Sequence, residues 1–234
     1  KSSDIQPAPV AGMKTVLTNS GVLYITDDGR TRLYVRLQEG RLSPVLKLYL
    51  NDNTELDIDW GDDTSHSTFT STSADYKSER HTYASAGDYI ISIGATNGSF
   101  ALQSSVTYSS TLLTNGNEAR NTPDVGYLNA ISKIEIGDSV ASIGAYAFYY
   151  CQSLSQVTIP NSVTSINDRA FCYCSSLSYI KFTRNSPPTV SSSNTFSKVP
   201  TDCKILVPRG RLSAYKSATN YPSSSTYTYE EYDV

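Results

Sequence analysis

The stretch that decides the fold is Ile143–Leu154, IGAYAFYYCQSL, which returns 23 positions later as Ile166–Leu177, INDRAFCYCSSL. Both copies keep the pattern I-x-x-x-A-F-x-x-C-x-x-L. The same period relates three further sets of apolar positions: Ile131, Leu154 and Leu177; Ile134, Val157 and Ile180; and Ile136, Ile159 and Phe182. A fixed period of this length indicates a structural repeat.

Each repeat combines two local patterns. The segment Leu154–Ile159 has the form L-x-x-V-x-I, whose last two apolar residues are two apart, and this predicts a strand with one buried face. The A-F-x-x-C-x-x-L segment has apolar residues at three- and four-residue steps, which predicts a helical turn. A single unit of this size has no partner for its apolar face, so the repeats must stack into a solenoid with parallel strands on one surface. A strand plus a helical turn in each rung of 23 residues is a leucine-rich-repeat architecture.

One repeat carries a more specific pattern. The segment Ile159–Leu177 reads I-P-x-S-V-x-x-I-x-x-x-A-F-x-x-C-x-x-L and resembles the BspA-like (TpLRR) class of leucine-rich repeats, found on surface proteins of gut and oral bacteria and some protists. The resemblance covers roughly residues 128 to 220 and implies adhesion or host contact. Cys203–Pro208 followed by Arg211–Lys216 is similar to the last strand and capping helix of such arrays. The third rung, Ser186–Phe196, precedes both segments and keeps only the Phe, and we interpret it as a degenerate terminal rung.

Residues before about 110 lack this period and predict short strands. Leu23–Thr26 and Thr31–Leu37 flank Asp28-Gly29, which predicts a hairpin because Asp-Gly readily supplies the positive φ of a tight turn. Further alternating segments are Leu46–Leu50, Leu56–Trp60 and Tyr89–Ile93. Several short strands separated by turns predict a β-sandwich.

Three segments of this half are similar to the W-G-D-G and H-x-Y-x-x-x-G-x-Y-x-V-x-V signatures of PKD-type immunoglobulin-like domains. They are Ile58–Thr64, His81–Tyr83 and Gly87–Ile93, and the resemblance covers about residues 31 to 108. Asp63 stands where the family usually has Gly; Asp tolerates the left-handed region better than most residues.

Three residues of this module are expected to have structural roles. We expect Trp60 to fill the core, Asp62 to bond backbone amides in the turn, and His81 to support that turn from a neighbouring strand. A calcium site at the same acidic turn, with Asp59 and Asp63, is the alternative left open, although calcium needs six or more oxygen ligands.

The predicted fold class is mainly β, with an immunoglobulin-like β-sandwich followed by a short leucine-rich-repeat solenoid. The predicted divisions are a tether and lead-in strand at 1–30, a PKD-like sandwich at 31–110, a linker at 111–127, repeats with a cap at 128–220 and a tail at 221–234. We interpret the polar, Pro-containing start, without an initiating Met, as a tether left after removal of a leader, which predicts an exported, extracellular or cell-surface protein.

Composition disfavours several classes of function. Lys plus Arg number 19 against 22 Asp plus Glu, which gives no basic footprint for nucleic acid or an anionic bilayer. No apolar run approaches the roughly 20 residues of a membrane-spanning helix. The two His residues belong to no cluster with metal-ligand spacing, and no hydrolase or phosphate-binding motif is present. We therefore predict no enzyme, no metal and no cofactor, and a monomer whose partner is an extracellular protein or glycan.

The repeat positions of the cysteines bear on their chemistry. Cys151 and Cys174 occupy the same rung position, so they should stack a strand spacing apart. We interpret both as buried thiols that act as small apolar fillers beside Phe148 and Phe171, with a disulfide as the alternative.

Two surfaces of the repeats are candidates for binding. The first, the strand ladder, consists of the outward-facing strand residues Lys133, Gln156 and Tyr179 in one column and Glu135, Thr158 and Lys181 in the other. The second, the tyrosine face, consists of Tyr146, Tyr149, Tyr150 and Tyr173. The rival hypothesis is a structural spacer that presents other domains, in which case both surfaces are only solvated.

Overall fold

The computed structural model describes residues 13–18, 21–26, 28–103, 111–115 and 125–233, with side chains from residue 28 onward except at 125 and 126. The predicted tether at residues 1–9 lies outside the described residues. The protein is mainly β, with 41% strand and 4% helix. Among the described residues, no helix has the length and apolar character needed to cross a bilayer.

The regular elements are numbered in chain order. Those before residue 120 are β1 (Met13–Thr18), β2 (Gly21–Thr26), β3 (Thr31–Leu37), β4 (Val45–Leu50), β5 (Thr54–Asp59), β6 (Ser67–Ser71), β7 (Asp75–Arg80), β8 (Gly87–Asn97), β9 (Phe100–Leu102) and β10 (Leu113–Thr114). Those after it are α1 (Val125–Leu128), β11 (Ile131–Glu135), β12 (Val140–Ile143), β13 (Gln156–Ile159), β14 (Ser165–Ile166), β15 (Tyr179–Phe182), β16 (Thr189–Val190), β17 (Lys204–Pro208), α2 (Leu212–Lys216) and β18 (Thr228–Tyr232).

Two large sheets run through both halves of the chain. The nine-stranded sheet has the order β18-β17-β15-β13-β11-β3-β8-β5-β6. The seven-stranded sheet has the order β10-β4-β9-β12-β14-β16, with β7 also paired to β4. Strands β1 and β2 form a separate antiparallel pair. Apolar residues of both large sheets form one hydrophobic cluster.

The repeats form a β-solenoid of about four turns. Strands β13 and β15 are parallel, and Gln156 pairs with Tyr179 and Ile159 with Phe182, which is the 23-residue register that the sequence predicts. Strands β12, β14 and β16 form a second parallel run in the other sheet. The residues shared by the repeats, including Leu154 and Leu177, are buried because each rung covers the apolar face of the one before it.

The predicted helical turn in each rung is wrong, because the A-F-x-x-C segment forms a chain of turns. The amides of Tyr146, Phe148 and Tyr150 donate to carbonyls of the next rung at 2.8–3.0 Å, whereas those of Tyr149 and Cys151 donate to carbonyls three residues back. In an α-helix, each amide beyond the first turn donates to the carbonyl four residues back, and none of these amides does so. The apolar spacing therefore reflects a chain of turns that buries Ala147, Phe148 and Cys151, rather than a helix.

Aromatic rings stack through the centre of the solenoid. The Phe148 and Phe171 ring centroids lie 5.2 Å apart with an interplanar angle of 9°, and those of Phe171 and Phe196 lie 5.8 Å apart with an angle of 2°. Phe196 belongs to the rung that we interpret as degenerate. The Phe that this rung retains is therefore the residue that continues the stack of aromatic rings.

The predicted hairpin between Leu23–Thr26 and Thr31–Leu37 is wrong. Strand β2 pairs with β1, whereas β3 pairs with β8 along one edge and with β11 along the other. With both edges of β3 occupied by distant strands, β2 has no edge of β3 to join. The immunoglobulin-like strand order of the first half is not confirmed.

The two halves meet by direct strand pairing. Strand β3 pairs antiparallel with β11, and β9 pairs parallel with β12, so each large sheet continues from the first half into the repeats. Within the predicted linker, β10 pairs with β4, and Leu112 and Leu113 are buried. The tail contributes β18, which pairs with β17 as an edge strand. The division of the chain into a sandwich, a linker, repeats and a tail stays a prediction. Both large sheets contain strands from more than one of these segments.

Candidate binding surface

The strand ladder lies on the exposed face of the nine-stranded sheet. Glu135 lies beside Thr158, and Thr158 lies beside Lys181, while Gln156 lies beside Tyr179. Lys133 precedes Ile134, the partner of Val157, and so begins the row that contains Gln156. All six side chains are partly exposed. The repeat strands therefore hold two in-register columns of polar side chains.

The columns continue beyond the residues that the sequence indicated. In the part of the chain before residue 120, which we call the first module, Tyr34 pairs with Lys133 and Arg32 with Glu135. At the other end Tyr179 pairs with Lys204, which in turn pairs with Thr228 of β18. Glu230 and Tyr232 of β18 complete this end of the ladder. Pairing of β3 with β11 is non-local, so no periodic signal in the sequence could have indicated it.

Charged groups on the ladder are matched by neighbours on the same face. The Lys133 ammonium lies 2.7 Å from a Glu135 carboxylate oxygen and 4.7 Å from the centroid of the Tyr34 ring. Burial, together with the nearby Glu135 carboxylate, raises the pKa of Tyr34. The phenol of Tyr34 is therefore protonated at neutral pH.

The opposite end of the ladder is built in the same way. The Lys204 ammonium lies 2.9 Å from Glu230, and the Lys181 ammonium lies 4.0 Å from the centroid of the Tyr232 ring. The Tyr179 hydroxyl donates to the Gln156 side-chain carbonyl. Burial raises the pKa of Tyr179 and of Tyr232, so both are neutral phenols at physiological pH.

The tyrosine face lies on the turns between the two sheets. The Tyr150 and Tyr173 rings stack at 4.4 Å, and Tyr149 meets Tyr150 edge-on at 4.7 Å. Tyr146 is buried, and its hydroxyl accepts a hydrogen bond from Arg169 at 2.8 Å. Burial and the neighbouring Tyr150 raise the pKa of Tyr149 to about 12.

The backbone of this face adopts left-handed conformations. Tyr146, Tyr150 and Tyr173 have φ near +61°, +61° and +63°, and Arg169, one rung below Tyr146, has +53°. Such values are uncommon for bulky residues. They are imposed by the turns whose alternate amides bond to the next rung.

The acidic turn of the first module is held by side-chain contacts. His81 stacks on Trp60 at 4.8 Å, and its Nε2 lies 2.7 Å from a carboxylate oxygen of Asp62. The other Asp62 oxygen accepts the Thr64 hydroxyl at 2.6 Å. Asp63 has φ of +59°, the left-handed conformation that usually favours Gly. In the described parts of the chain, no His, Cys, Asp and Glu cluster has metal-binding geometry.

Acid should weaken this turn. Burial acts to raise the pKa of Asp62, but hydrogen bonds from Thr64 and His81 outweigh it and leave the pKa below its ordinary value. A lowered folded pKa stabilises the protein above the unfolded value near 3.9, and this contribution is lost as the pH falls through the folded pKa. Asp62→Asn should lower the free energy of unfolding by about 2 kcal/mol at pH 7, and the difference from wild type should shrink as the pH falls through the lowered pKa of folded Asp62.

Urea titrations at pH 7 and at pH 2 measure this difference in the free energy of unfolding. Asp202→Asn, at an exposed turn, is the matched control and should change stability by less than about 0.5 kcal/mol at either pH. An Asp62→Asn deficit that stays constant down to pH 2 would contradict the assignment.

The four cysteines are free and buried. The Cys174 thiol donates to the Phe148 carbonyl at 3.1 Å. Burial raises the pKa of the Cys151 and Cys174 thiols, and it raises that of Cys203 to about 12. These thiols pack as apolar fillers, and they lack the thiolate character that redox or nucleophilic chemistry requires.

Thiol titration tests this packing. We expect Ellman's reagent to react with four thiols in the denatured, unreduced protein and to react far more slowly with the native protein. Fewer than four thiols after denaturation would demonstrate a disulfide instead.

Comparison with known proteins finds a family match in the second half of the chain. Residues 126–222 match the BspA type leucine rich repeat region in six copies. The match supports BspA-like leucine-rich repeats over these residues, and that family is consistent with a surface-associated binding protein. The PKD-like assignment of the first half is not shown. No solved structure gives a significant match.

The start of the chain matches a different family. Residues 1–34 match the disulfide bond isomerase protein N-terminal domain. The thiol:disulfide interchange proteins DsbC of Escherichia coli K12 and Salmonella typhimurium are 97% and 73% identical to this chain over 30 residues, which is 13% of this chain and 13% of each relative. This segment contains no Cys.

Proposed function

We propose that the chain is an exported, non-catalytic protein of the cell surface or extracellular space that binds an extracellular protein or glycan through the strand ladder. The observation that carries the proposal is the in-register pairing of β11, β13, β15 and β17, which arrays polar side chains on one face. The BspA-type repeats support a surface-associated role.

The geometry of the ladder suits recognition. Its side chains project from hydrogen-bonded strands, which hold functional groups more precisely than loops do. Ion pairs and ring contacts between neighbours further restrict their rotamers, as between Lys133 and Glu135. A ligand that binds here loses less free energy to side-chain ordering than it would on a mobile surface.

Support for catalysis is weak by comparison. His81 is stacked and paired with Asp62, and His66 lies 2.9 Å from Asp57, itself bonded to Arg30. The cysteine thiols are buried, and their pKa values are raised. These groups hold the first module and the solenoid together, and none is poised as a nucleophile with an adjacent base.

An array of host matrix proteins, mucins and glycans tests the proposal. The purified chain should give a saturable signal that is lost in the double variant Tyr179→Ala, Lys181→Glu. The matched control is Tyr150→Ala, Tyr173→Ala on the tyrosine face, which should bind as wild type does. Circular dichroism verifies that both variants are folded. Loss of the signal in the control variant alone would move the site to the tyrosine face.

A structural spacer is the second candidate. The observation in its favour is that both large sheets contain strands of the first module and of the repeats, joined by direct pairing, which restricts bending between the two. A PKD-like first module would fit either role. Absence of any saturable signal on the array would favour the spacer.

A further inference from the structure

We propose that the C-terminal end of the ladder binds an uncharged oligosaccharide; this inference rests on the proposed function of the ladder. The site, which we call the sugar strip, lies on β13, β15, β17 and β18. Its residues are Gln156, Thr158, Tyr179, Lys181, Lys204, Glu230 and Tyr232.

The charges of the sugar strip are already matched within it. Lys204 is paired with Glu230 at 2.9 Å, and Lys181 lies over the Tyr232 ring at 4.0 Å. A polyanionic ligand would have to compete with Glu230 for Lys204 and would meet that carboxylate at short range. A neutral ligand leaves these contacts intact, so charge complementarity favours it.

The chemical groups of the sugar strip fit hydroxyl-rich ligands. Gln156 offers an amide, Thr158 a hydroxyl and Glu230 a carboxylate, which together provide donors and acceptors for sugar hydroxyls. Tyr179 is partly exposed and stands between Gln156 and Lys204 in its column. The C–H groups of a pyranose carry a small positive charge and pack against the negative face of an aromatic ring.

The aromatic rings of the sugar strip, Tyr179 and Tyr232, are only partly exposed. Protein interfaces concentrate binding energy in large apolar or aromatic anchors that enter pockets. Among the described side chains, the exposed large hydrophobic residue is Tyr76, 54% exposed, which lies on β7 in the other sheet. The polar sugar strip therefore fits a glycan better than a protein surface.

Titration calorimetry with neutral hexaoses of glucose, mannose and galactose, and with heparin as the acidic comparison, tests the inference. At least one neutral hexaose should bind, with a Kd that changes less than about twofold between low and high salt, because binding releases few counterions. Tyr179→Ala should weaken binding about tenfold or more, whereas Tyr179→Phe, which keeps the ring, should lose less. Tyr76→Ala is the control and should bind as wild type does.

A charge-exchange variant separates neutral from charged recognition. Lys204→Glu combined with Glu230→Lys keeps the ion pair but moves the carboxylate that is offered to sugar hydroxyls, so it should weaken binding of the neutral hexaose about threefold or more while the affinity stays insensitive to salt. Binding of heparin alone, with steep salt dependence, would overturn the inference. A protein ligand lost in the Tyr179→Ala, Lys181→Glu variant, with no glycan bound, would overturn it and leave the proposed function standing. If the wild-type chain bound neither a glycan nor a protein, both this inference and the proposed function would be overturned.

Discussion

Replacement of Phe171 by Ala is expected to lower the free energy of unfolding by about 4 kcal/mol. Phe171 is fully buried and stacks between Phe148 and Phe196, so its removal opens a cavity in the middle of the solenoid. The rungs above and below are fixed by inter-rung hydrogen bonds, including the bond from the Phe171 amide to the Thr195 carbonyl. The cavity therefore collapses only partly. Urea unfolding followed by circular dichroism measures the loss.

Two companion variants make this result specific to the stack. Phe171→Leu fills most of the cavity and should cost no more than about half as much. Tyr173→Ala, two residues along the same rung and partly exposed, should cost about 1 kcal/mol through the lost contact with Tyr150. A loss below about 1 kcal/mol for Phe171→Ala would show that the stacked rings are not the core of the repeats.

The second large effect is expected at Gly137, where the repeats meet the first module. A Cβ at this position would lie 2.1 Å from the Gly29 carbonyl oxygen and 2.6 Å from the Thr31 amide nitrogen, both backbone atoms. The Gly137 amide also donates to the Thr31 hydroxyl at 3.0 Å. Gly137→Ala must therefore push β3 away from β11, at an expected cost of about 3 kcal/mol.

The effect of Gly137→Ala should reach both halves, because they share the two large sheets. Fluorescence of Trp60, the single Trp, reports on the first module, and far-UV circular dichroism reports on all strands. Both signals should shift to the same lower urea midpoint. The control is Gly87→Ala, where the nearest atom to a Cβ is a Tyr89 side-chain carbon at 3.5 Å, and stability should change little. A Trp60 transition unchanged by Gly137→Ala would show that the halves unfold independently.

The repeats were the most predictable part of the fold. A 23-residue period sets both the register and the direction of every apolar side chain, because each rung must bury the same positions against its neighbours. This is why pairs such as Gln156–Tyr179 and Thr158–Lys181 could be written down from the sequence. The same reasoning indicated that Cys151 and Cys174 share a rung position, and both are buried.

Errors arose where local patterns compete with non-local pairing. Apolar steps of three and four residues suit a helix, yet the amides of Phe148 and Tyr150 bond to the next rung, and that contact leaves no local signal. Asp28-Gly29 suits a tight hairpin, but β3 is already paired on both edges by β8 and β11. The sequence did not indicate that the ladder extends to Lys204 and Glu230, because β17 and β18 depart from the repeat pattern.

The central claim is that the exposed face of the nine-stranded sheet binds the ligand, and chemical-shift mapping tests it most directly. The isotope-labelled chain would be titrated with the array component of highest affinity. We expect the largest amide shifts at residues 156–159, 179–182 and 204–208, the strands β13, β15 and β17. Shifts confined to the turns at 144–151 and 167–174, or to the first module, would contradict the claim.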